Sequence, residues 1–212
     1  AISAETLIIH AGTLLAVPGK QPLNKQTVVV RNGKVDSIHA GYLNKSQVEG
    51  NDSNETIIDL KNQFVMPGFI DLHVHISKEY RQGAKLDTVT MGDADNALTG
   101  AMYALRTMNA GFTTIRDLGS RGDSIFALRD AIKAGKVPGP RILVAGEAIT
   151  ATGGHGDVHG FRQEVLDVIP STATCDGPDS CRAAVRRQVK RGADLIKVTA
   201  TGGVLSETAA GT

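Results

Sequence analysis

Residues 66–75 read MPGFIDLHVH, and this stretch decides the fold class of the chain. After the Pro-Gly turn, the mainly apolar run that starts at Phe69 predicts a strand buried on both faces. It ends in His73 and His75, which project from the same side because alternate residues of a strand share a face. Two imidazoles at that spacing can bind one metal ion. The alternative is a histidine pair satisfied within the core; we favour the metal, because burying two imidazoles without partners costs on the order of a few kcal/mol.

Strand-like and helical segments alternate after residue 67. Apolar runs predict three further strands, TTIRDL (113–118), RILVAG (141–146) and DLIKVTATGG (194–203). Helical spacing predicts helices over residues 93–110, 124–135 and 178–193. Short connections between such elements are typical of parallel βα units. Residues 67–212 are therefore predicted to hold the first four βα units of an eight-unit barrel, which needs about 250 residues in full.

Polar residues at the strand ends favour this barrel over the alternative, a doubly wound sheet. Active sites of (β/α)8 TIM barrels are built at the C-terminal ends of the strands. Four polar residues lie at or near such ends: His73, His75, Asp117 and Lys197. The predicted fold class is therefore α/β, the first half of a TIM barrel.

The first 66 residues have a different pattern. Short β-branched runs such as TLII, TVVV and TIIDL are separated by turn residues. Asn32 and Gly33 lie between two of these runs, and this pair is preferred in tight two-residue hairpins. Because short strands in so small a segment leave open edges, we predict that residues 1–66 form the N-terminal part of a small β-sandwich domain.

Lys197 lies in the apolar run DLIKVTA. One interpretation is a lysine that packs its stem and extends its ammonium to solvent. The other starts from the effect of burial, which lowers the pKa of a lysine and favours the neutral amine. A neutral amine can add carbon dioxide and form a carbamate, whose two oxygens can bridge two metal ions. The lysine alone favours the first interpretation, but HxH on the first strand with Lys197 on the fourth favours the second.

Charge and hydropathy exclude several classes of function. The formal net charge is +1 and the charges are interspersed, so nothing indicates nucleic acid or an anionic membrane surface as a partner. No apolar run approaches the ~20 residues of a membrane span.

Two features suggest an exported protein. Cys175 and Cys181 enclose a turn-rich spacer that can close into a disulfide, although two free thiols are the alternative. The opening residues AISA end in a small residue, as the remnant of an export signal does, or they are a cloning scar. We expect a periplasmic or secreted protein, with a cytoplasmic one as the alternative.

Four motifs together resemble the amidohydrolase superfamily: VMPGFIDLHVH, TTIRDLG, GGHGD and ADLIKVTATGG. The similar branch contains imidazolonepropionase-like amidohydrolases, including metal-dependent Xaa-Pro and arginine/lysine carboxypeptidase-type dipeptidases. The resemblance implies that His73 and His75 bind the more buried of two divalent ions, expected to be zinc, and that a carboxylated Lys197 bridges both. It places His155 near the substrate, although a loop histidine that caps local backbone is the alternative.

Other residues of the motifs are given lesser roles. Asp117 is expected to bond to backbone or to a ligand histidine. His159 is expected to be a solvated loop residue. The glycines of the loop 150–160 are expected either to leave N–H groups free for a substrate carboxylate or carbonyl oxygen, or to form a plain structural turn.

The family pattern also requires two histidines on barrel strands five and six and an aspartate on strand eight. No residue of this chain matches these positions, so the catalytic proton-transfer aspartate is unknown and expected beyond residue 212, in a C-terminal half that the site requires. We predict a homo-oligomeric hydrolase that cleaves the amide bond of a dipeptide or N-acyl amino acid with two metal ions. The alternatives are a one-metal cyclic amide hydrolase or deaminase, and a metal-free, non-catalytic homologue.

Overall fold

The computed structural model describes residues 6–48, 55–169 and 171–203 of the 212-residue chain. The strands are β1 (Thr6–Leu14), β2 (Leu23–Arg31), β3 (Lys34–Ala40), β4 (Glu55–Val65), β5 (Phe69–Val74), β6 (Phe112–Asp117), β7 (Arg141–Val144), β8 (Ile149–Thr150) and β9 (Val198–Thr199). The helices are α1 (Asp87–Thr90), α2 (Asp93–Asn109), α3 (Ser124–Lys133), α4 (Gln163–Leu166) and α5 (Pro178–Lys190), with short 3-10 turns at Lys45–Gln47 and Ala84–Leu86. The chain divides into two compact units, Ala1–Pro67 and Gly68–Thr212. The opening residues AISA, on which the expectation of export partly rests, lie outside the described residues.

The first unit is a four-stranded sheet with the order β3-β2-β1-β4, in which β1 runs antiparallel to β2 and parallel to β4. Its core includes Ile8 and Val29, which are fully buried, and Val48. The described part of this unit forms one sheet, so the second layer of the predicted sandwich stays a prediction.

The hairpin between β2 and β3 is confirmed. Asn32 and Gly33 both have positive φ, 50° and 73°, and Arg31 pairs with Lys34 across them. Two central residues with positive φ form the turn whose twist matches that of the flanking strands. Gly and Asn adopt this conformation at the lowest steric cost, so local sequence alone specifies the turn.

The second unit contains a parallel three-stranded sheet with the order β5-β6-β7. Helix α2 connects the first pair of strands and α3 connects the second pair, so the predicted βα alternation is confirmed over this part of the chain. The core between sheet and helices contains fully buried Ile115 and Ile125 together with Tyr103 and Phe126. Burial of each large apolar side chain stabilises the fold by roughly 1.5–3 kcal/mol. The closed eight-stranded barrel stays a prediction.

The expectation that the first barrel strand is buried on both faces is wrong for the described residues. Phe69, Ile70 and Leu72 of β5 are each at least half exposed. The reason is position: β5 is an edge strand with one neighbour, whereas the central strand β6 buries Ile115 completely. The apolar composition of β5 therefore indicates a surface that the described residues leave uncovered.

The long fourth strand predicted over residues 194–203 is also wrong. Only Val198–Thr199 form a strand, paired in parallel with Ile149–Thr150. Upstream of that strand, the N–H of Asp194 donates to the Val144 carbonyl, at 2.8 Å. The segment that joins β7 to β8 leaves the extended conformation at Gly146, which has a φ of 70°.

Candidate functional site

His75 lies immediately after β5 and is held in one orientation. Its Nδ1 is 2.9 Å from the carbonyl oxygen of Gly119. A carbonyl only accepts hydrogen bonds, so Nδ1 carries the proton and the lone pair of Nε2 is left for a metal ion. A larger residue at Gly119 would press on this ring, because a Cβ there would lie 3.2 Å from the ring of His75.

Asp117 fixes the backbone on both sides of this contact. Its carboxylate is completely buried, and Oδ2 accepts the N–H of Ile76 at 2.8 Å. The other oxygen, Oδ1, accepts the hydroxyl of Ser120 at 2.9 Å and the N–H of Gly119 at 3.2 Å. The expectation that Asp117 bonds to backbone is confirmed. Its partners are the residue that follows His75 and the residue that orients the His75 ring.

His73 lies beside His75, with ring centroids 5.6 Å apart in an edge-to-face arrangement. Partial withdrawal of the ring from water lowers the pKa of His73, and the positive charges of Lys197, His75 and Arg116 lower it further. A lowered pKa favours the neutral imidazole, which is the form that binds metals. The structure therefore presents two adjacent imidazoles in a positively charged environment.

Lys197 is half-buried and immediately precedes β9. Its carbonyl accepts the N–H of Ile149 at 2.8 Å, which ties this segment to β8. Its ammonium is close enough to His73 to affect the pKa of that ring. Within the described ranges, no group of three or more His, Cys, Asp or Glu side chains is arranged to hold a metal ion. The joint role of His73, His75 and Lys197 in metal binding therefore stays a prediction.

His155 lies in the Gly-rich loop, half-buried. Its Nδ1 is buried and has no hydrogen-bond partner among the described residues. Gly203 packs so closely against the ring that a Cβ there would lie 2.1 Å from Nδ1. A buried polar atom without a partner is unusual in a folded protein and needs an explanation. The role of His155 in substrate binding stays a prediction.

The N–H groups of three glycines in the Gly-rich loop are not free. Those of Gly153, Gly154 and Gly156 donate within or beside the loop, to Asp157 Oδ2 at 2.8 Å, to Ala151 O at 2.9 Å and to Thr150 Oγ1 at 3.3 Å. The expectation that these groups could receive a substrate oxygen is therefore wrong, and the structural turn is the better interpretation. Two of these N–H groups are bound by the side chains of Asp157 and Thr150, which the glycine content of the loop did not indicate.

His159 is also part of this turn. Its Nε2 donates to the carbonyl of Gly154 at 2.8 Å, and the residue is half-buried. The expectation of a solvated histidine is wrong, because the ring adds a second donor to the Gly154 carbonyl, which also accepts the N–H of Asp157 at 3.0 Å.

The disulfide between Cys175 and Cys181 is present, with an S–S distance of 2.10 Å and a Cα–Cα distance of 4.9 Å. It joins the start of α5 to a segment that contacts β8, since the N–H of Cys175 donates to the carbonyl of Thr150 at 2.8 Å. An open cavity of about 360 Å³ lies beside the bridge and is lined in part by Asp176 and Thr199. The bridge thus stabilises the neighbourhood of Lys197.

Arg121 was not singled out by the sequence. It lies four residues after the end of β6, in the segment LGSRGD. Burial lowers the pKa of its guanidinium, and the carboxylates of Glu147 and Asp157 act in the opposite direction. The available signal was its place in a polar turn at the C-terminal end of a parallel strand, where active-site residues accumulate.

The comparisons with known proteins agree with the motifs. The model of the amidohydrolase family matches residues 64–211. An ochratoxinase from Aspergillus niger is 30% identical over 224 residues, a match that covers 96% of this chain and 44% of that protein. The chain therefore spans about half the length of the curated relatives it matches.

Solved structures with the same fold include a Xaa-Pro dipeptidase with methionine bound in its active site. That structure is 36% identical, has a TM-score of 0.84 and matches 96% of this chain and 49% of its own. A prolidase complexed with N-methylphosphonate-L-proline is 27% identical with a TM-score of 0.77, and the match covers 96% of this chain and 48% of that one.

Among the helices of the described residues, none has the length and apolar character that a membrane span requires.

Proposed function

This chain belongs to the amidohydrolase family, and from that premise we propose that it provides the first half of the active site of a metal-dependent hydrolase that cleaves an amide bond. The observation that carries the proposal is the orientation of His75. Its Nδ1 proton is held by the Gly119 carbonyl, so the opposite nitrogen is available as a ligand at the end of an apolar strand.

The described residues fit divalent metal ions. His73 and His75 supply two neighbouring imidazoles, and the lowered pKa of His73 favours the neutral form of its ring. Lys197, when carboxylated, would supply two oxygens to bridge a pair of ions, for which zinc suits the nitrogen and oxygen ligands. When bound, such ions would polarise the carbonyl of the scissile bond. Further ligands and the group that transfers the proton are assigned to a C-terminal half of the enzyme, in line with the half-length match to the relatives.

The chain's own residues would position this centre. Asp117 would hold the backbone around His75 through its bonds to Ile76 and Gly119, so that the imidazole does not have to be ordered when the metal binds. His155 would face the substrate from the Gly-rich loop.

The substrate class that we propose is a dipeptide or an N-acyl amino acid whose C-terminal residue leaves as a free amino acid. A relative named as a Xaa-Pro dipeptidase holds methionine, a free amino acid, in its active site. Another, named as a prolidase, binds N-methylphosphonate-L-proline, a molecule that contains an amino acid. Both are at least 27% identical to this chain over 96% of its length.

The scaffold and location proposed with this function follow the same relatives and the disulfide. We propose that β5 to β9 form the first half of a TIM barrel and β1 to β4 part of a small β-sandwich in the intact enzyme, and that the enzyme is a homo-oligomer. The Cys175–Cys181 bridge supports a periplasmic or secreted enzyme, since such bonds persist in oxidising compartments. Alkylation of the native protein with and without reductant tests the bridge; thiols that react without reductant would contradict export.

The deciding experiment joins metal analysis to a substrate panel, with the intact enzyme that contains this chain. Two ions per active site and cleavage of dipeptides ending in Pro, Arg, Lys or Leu would agree with the proposal. One ion with activity only on a cyclic imidazolone would replace it with the cyclic-amide reaction. Absence of both metal and activity would leave a non-catalytic homologue. The His73→Ala variant should lose metal whether the wild-type enzyme holds two ions or one.

A further inference from the structure

Arg121 lies in the loop 118–123, which we call the LGSRGD loop, directly after β6. Its Nη1 is buried and has no hydrogen-bond partner among the described residues. A guanidinium remains charged at any physiological pH, so a buried N–H of this group without an acceptor is costly. The chain retains this cost two residues after Gly119, whose carbonyl orients the ring of His75.

Charges from three loops act on the Arg121 guanidinium and locate it. Glu147 follows β7 and Asp157 belongs to the Gly-rich loop, and both carboxylates influence the guanidinium. Lys78 lies three residues after His75. Crowding of its ammonium by protein atoms lowers its pKa, and the positive charge of Arg121 lowers it further. Arg121, which itself follows β6, therefore lies among the loops that follow β5, β7 and β8, at the C-terminal ends of these strands.

The nearby carboxylates are already engaged by other donors. Glu147 accepts the guanidinium of Arg191 at 3.3 Å and the N–H of Thr172 at 3.0 Å. Asp157 accepts backbone N–H groups of its own loop. Neither acid is paired with Arg121 in the part of the chain that the structure describes. Within the described residues, the Arg121 guanidinium is thus a positive charge whose Nη1 has no acceptor.

The backbone of the LGSRGD loop is held on both sides of Arg121. The N–H of Ser120 donates to Gly146 at 2.9 Å, and the N–H of Asp123 donates to the carboxylate of Asp93 at 2.9 Å. On its other side, Asp123 accepts Arg191 at 2.9 Å. A loop fixed from three directions presents the side chain between these anchors with little ordering cost upon binding.

We propose that Arg121 binds the carboxylate of the substrate, and that it is the residue that makes the enzyme specific for a free C-terminal acid. The inference rests on the proposed amide hydrolase function and deepens it. A planar guanidinium matches a carboxylate with two parallel hydrogen bonds, which an ammonium does not reproduce. Because the Gly-rich loop uses its N–H groups internally, Arg121 takes the role that the sequence had assigned to those groups.

The test compares Arg121→Met and Arg121→Lys with Arg186→Met, an exposed arginine of α5, as the matched control. Each dipeptide that the wild type cleaves is assayed beside its C-terminal amide. In Arg121→Met we expect kcat/KM to fall about 10- to 100-fold for the acids, mainly through KM, with the amides unchanged. Arg121→Lys should recover part of the loss, and the control should behave as the wild type with the same metal content.

Equal losses on acids and amides, or no loss at all, would overturn the proposal. Equal losses accompanied by a lower Tm would mean that Arg121 pairs with a side chain elsewhere in the intact enzyme. If the wild type cleaves none of the peptides, the proposed function fails, and calorimetry still decides the inference. L-proline should then bind the wild type more tightly than L-prolinamide does, and this difference should vanish in Arg121→Met; a difference that persists, or that the wild type never had, would refute carboxylate recognition.

Discussion

His75 and Lys197 approach the candidate site from segments that are held in different ways. The histidine side is fixed by the buried carboxylate of Asp117, which binds the backbone next to His75 and the residue that orients its ring. The segment that contains Lys197 depends on the two-residue pairing of β8 with β9. The disulfide acts on it only indirectly, through the contact of Cys175 with β8. A dense polar anchor in the core thus contrasts with a ladder of only two residue pairs.

This difference suggests a division of labour. The side that orients a ligand through its tautomer needs a rigid backbone, because a small displacement of Gly119 would release the ring of His75. The side that carries a lysine needs less rigidity, because a long flexible stem absorbs small backbone shifts. Three substitutions test this contrast, each in the intact enzyme.

The largest effect is expected from Lys197→Ala. Removal of the proposed bridging group should reduce the metal content from two ions to one or none and lower kcat/KM by about 10³-fold or more, since metal polarisation contributes several kcal/mol. Elemental analysis and steady-state kinetics measure both quantities, with the exposed Lys190→Ala of α5 as control. Short carboxylic acids added to the Lys197→Ala variant should restore part of the activity. Normal metal content and rate in that variant would remove the lysine from the site.

A smaller effect is expected from Asp117→Asn. Both carboxylate oxygens accept an N–H, from Ile76 and from Gly119, so an amide would oppose its own N–H to one of these donors. We expect the metal affinity, measured by competition with a chelator, to fall about 10- to 100-fold. Ser120→Ala, which removes only the hydroxyl bond to the same carboxylate, should change it much less. Identical affinities in the two variants would show that Asp117 supports the fold and not the histidine.

The smallest effect is expected from replacing Cys175 and Cys181 together by serine. Closure of so short a loop should contribute about 2 kcal/mol, and we expect the loss to be local. Amide hydrogen exchange at Ile149 and Cys175 should accelerate about 30-fold, whereas the amides of Ile76 and Gly119 should exchange as in the wild type. Acceleration of all four amides would mean that the two sides of the site unfold as one unit, against the contrast described above.

Local signals in the sequence predicted much of this fold correctly. Asn32-Gly33 specifies its hairpin because both residues readily adopt the positive φ that this two-residue turn requires. The helix predicted over residues 93–110 is Asp93–Asn109, because Asp95 accepts the N–H of Gly92 at its start and Gly111 follows its end with a φ of 96°. Period and capping are properties of neighbouring residues, so they are legible without a structure.

Two of the failures arise from competition for hydrogen bonds. The Gly-rich loop was expected to offer free N–H groups, but Thr150 and Asp157 take them. The strand around Lys197 was expected to be long, but only Val198 and Thr199 pair with β8. The segment before β8 leaves the extended conformation at Gly146. Composition indicates how many donors a segment has; it does not indicate which acceptors the folded chain brings to them.

The sequence by itself determined the order of elements, the hairpin of the first unit, the pair of imidazoles at the end of a strand and the cysteines placed to bridge. Each of these depends on spacing along the chain, which folding does not change. Three features depend on the tertiary structure: which nitrogen of His75 is available, what Asp117 binds, and that Nη1 of Arg121 has no acceptor among the described residues. The bond from Ile76 to Asp117 joins residues 41 positions apart, and the bond from His75 to Gly119 joins residues 44 apart. Such contacts exist only after parallel strands have paired, because the pairing brings the ends of distant segments together.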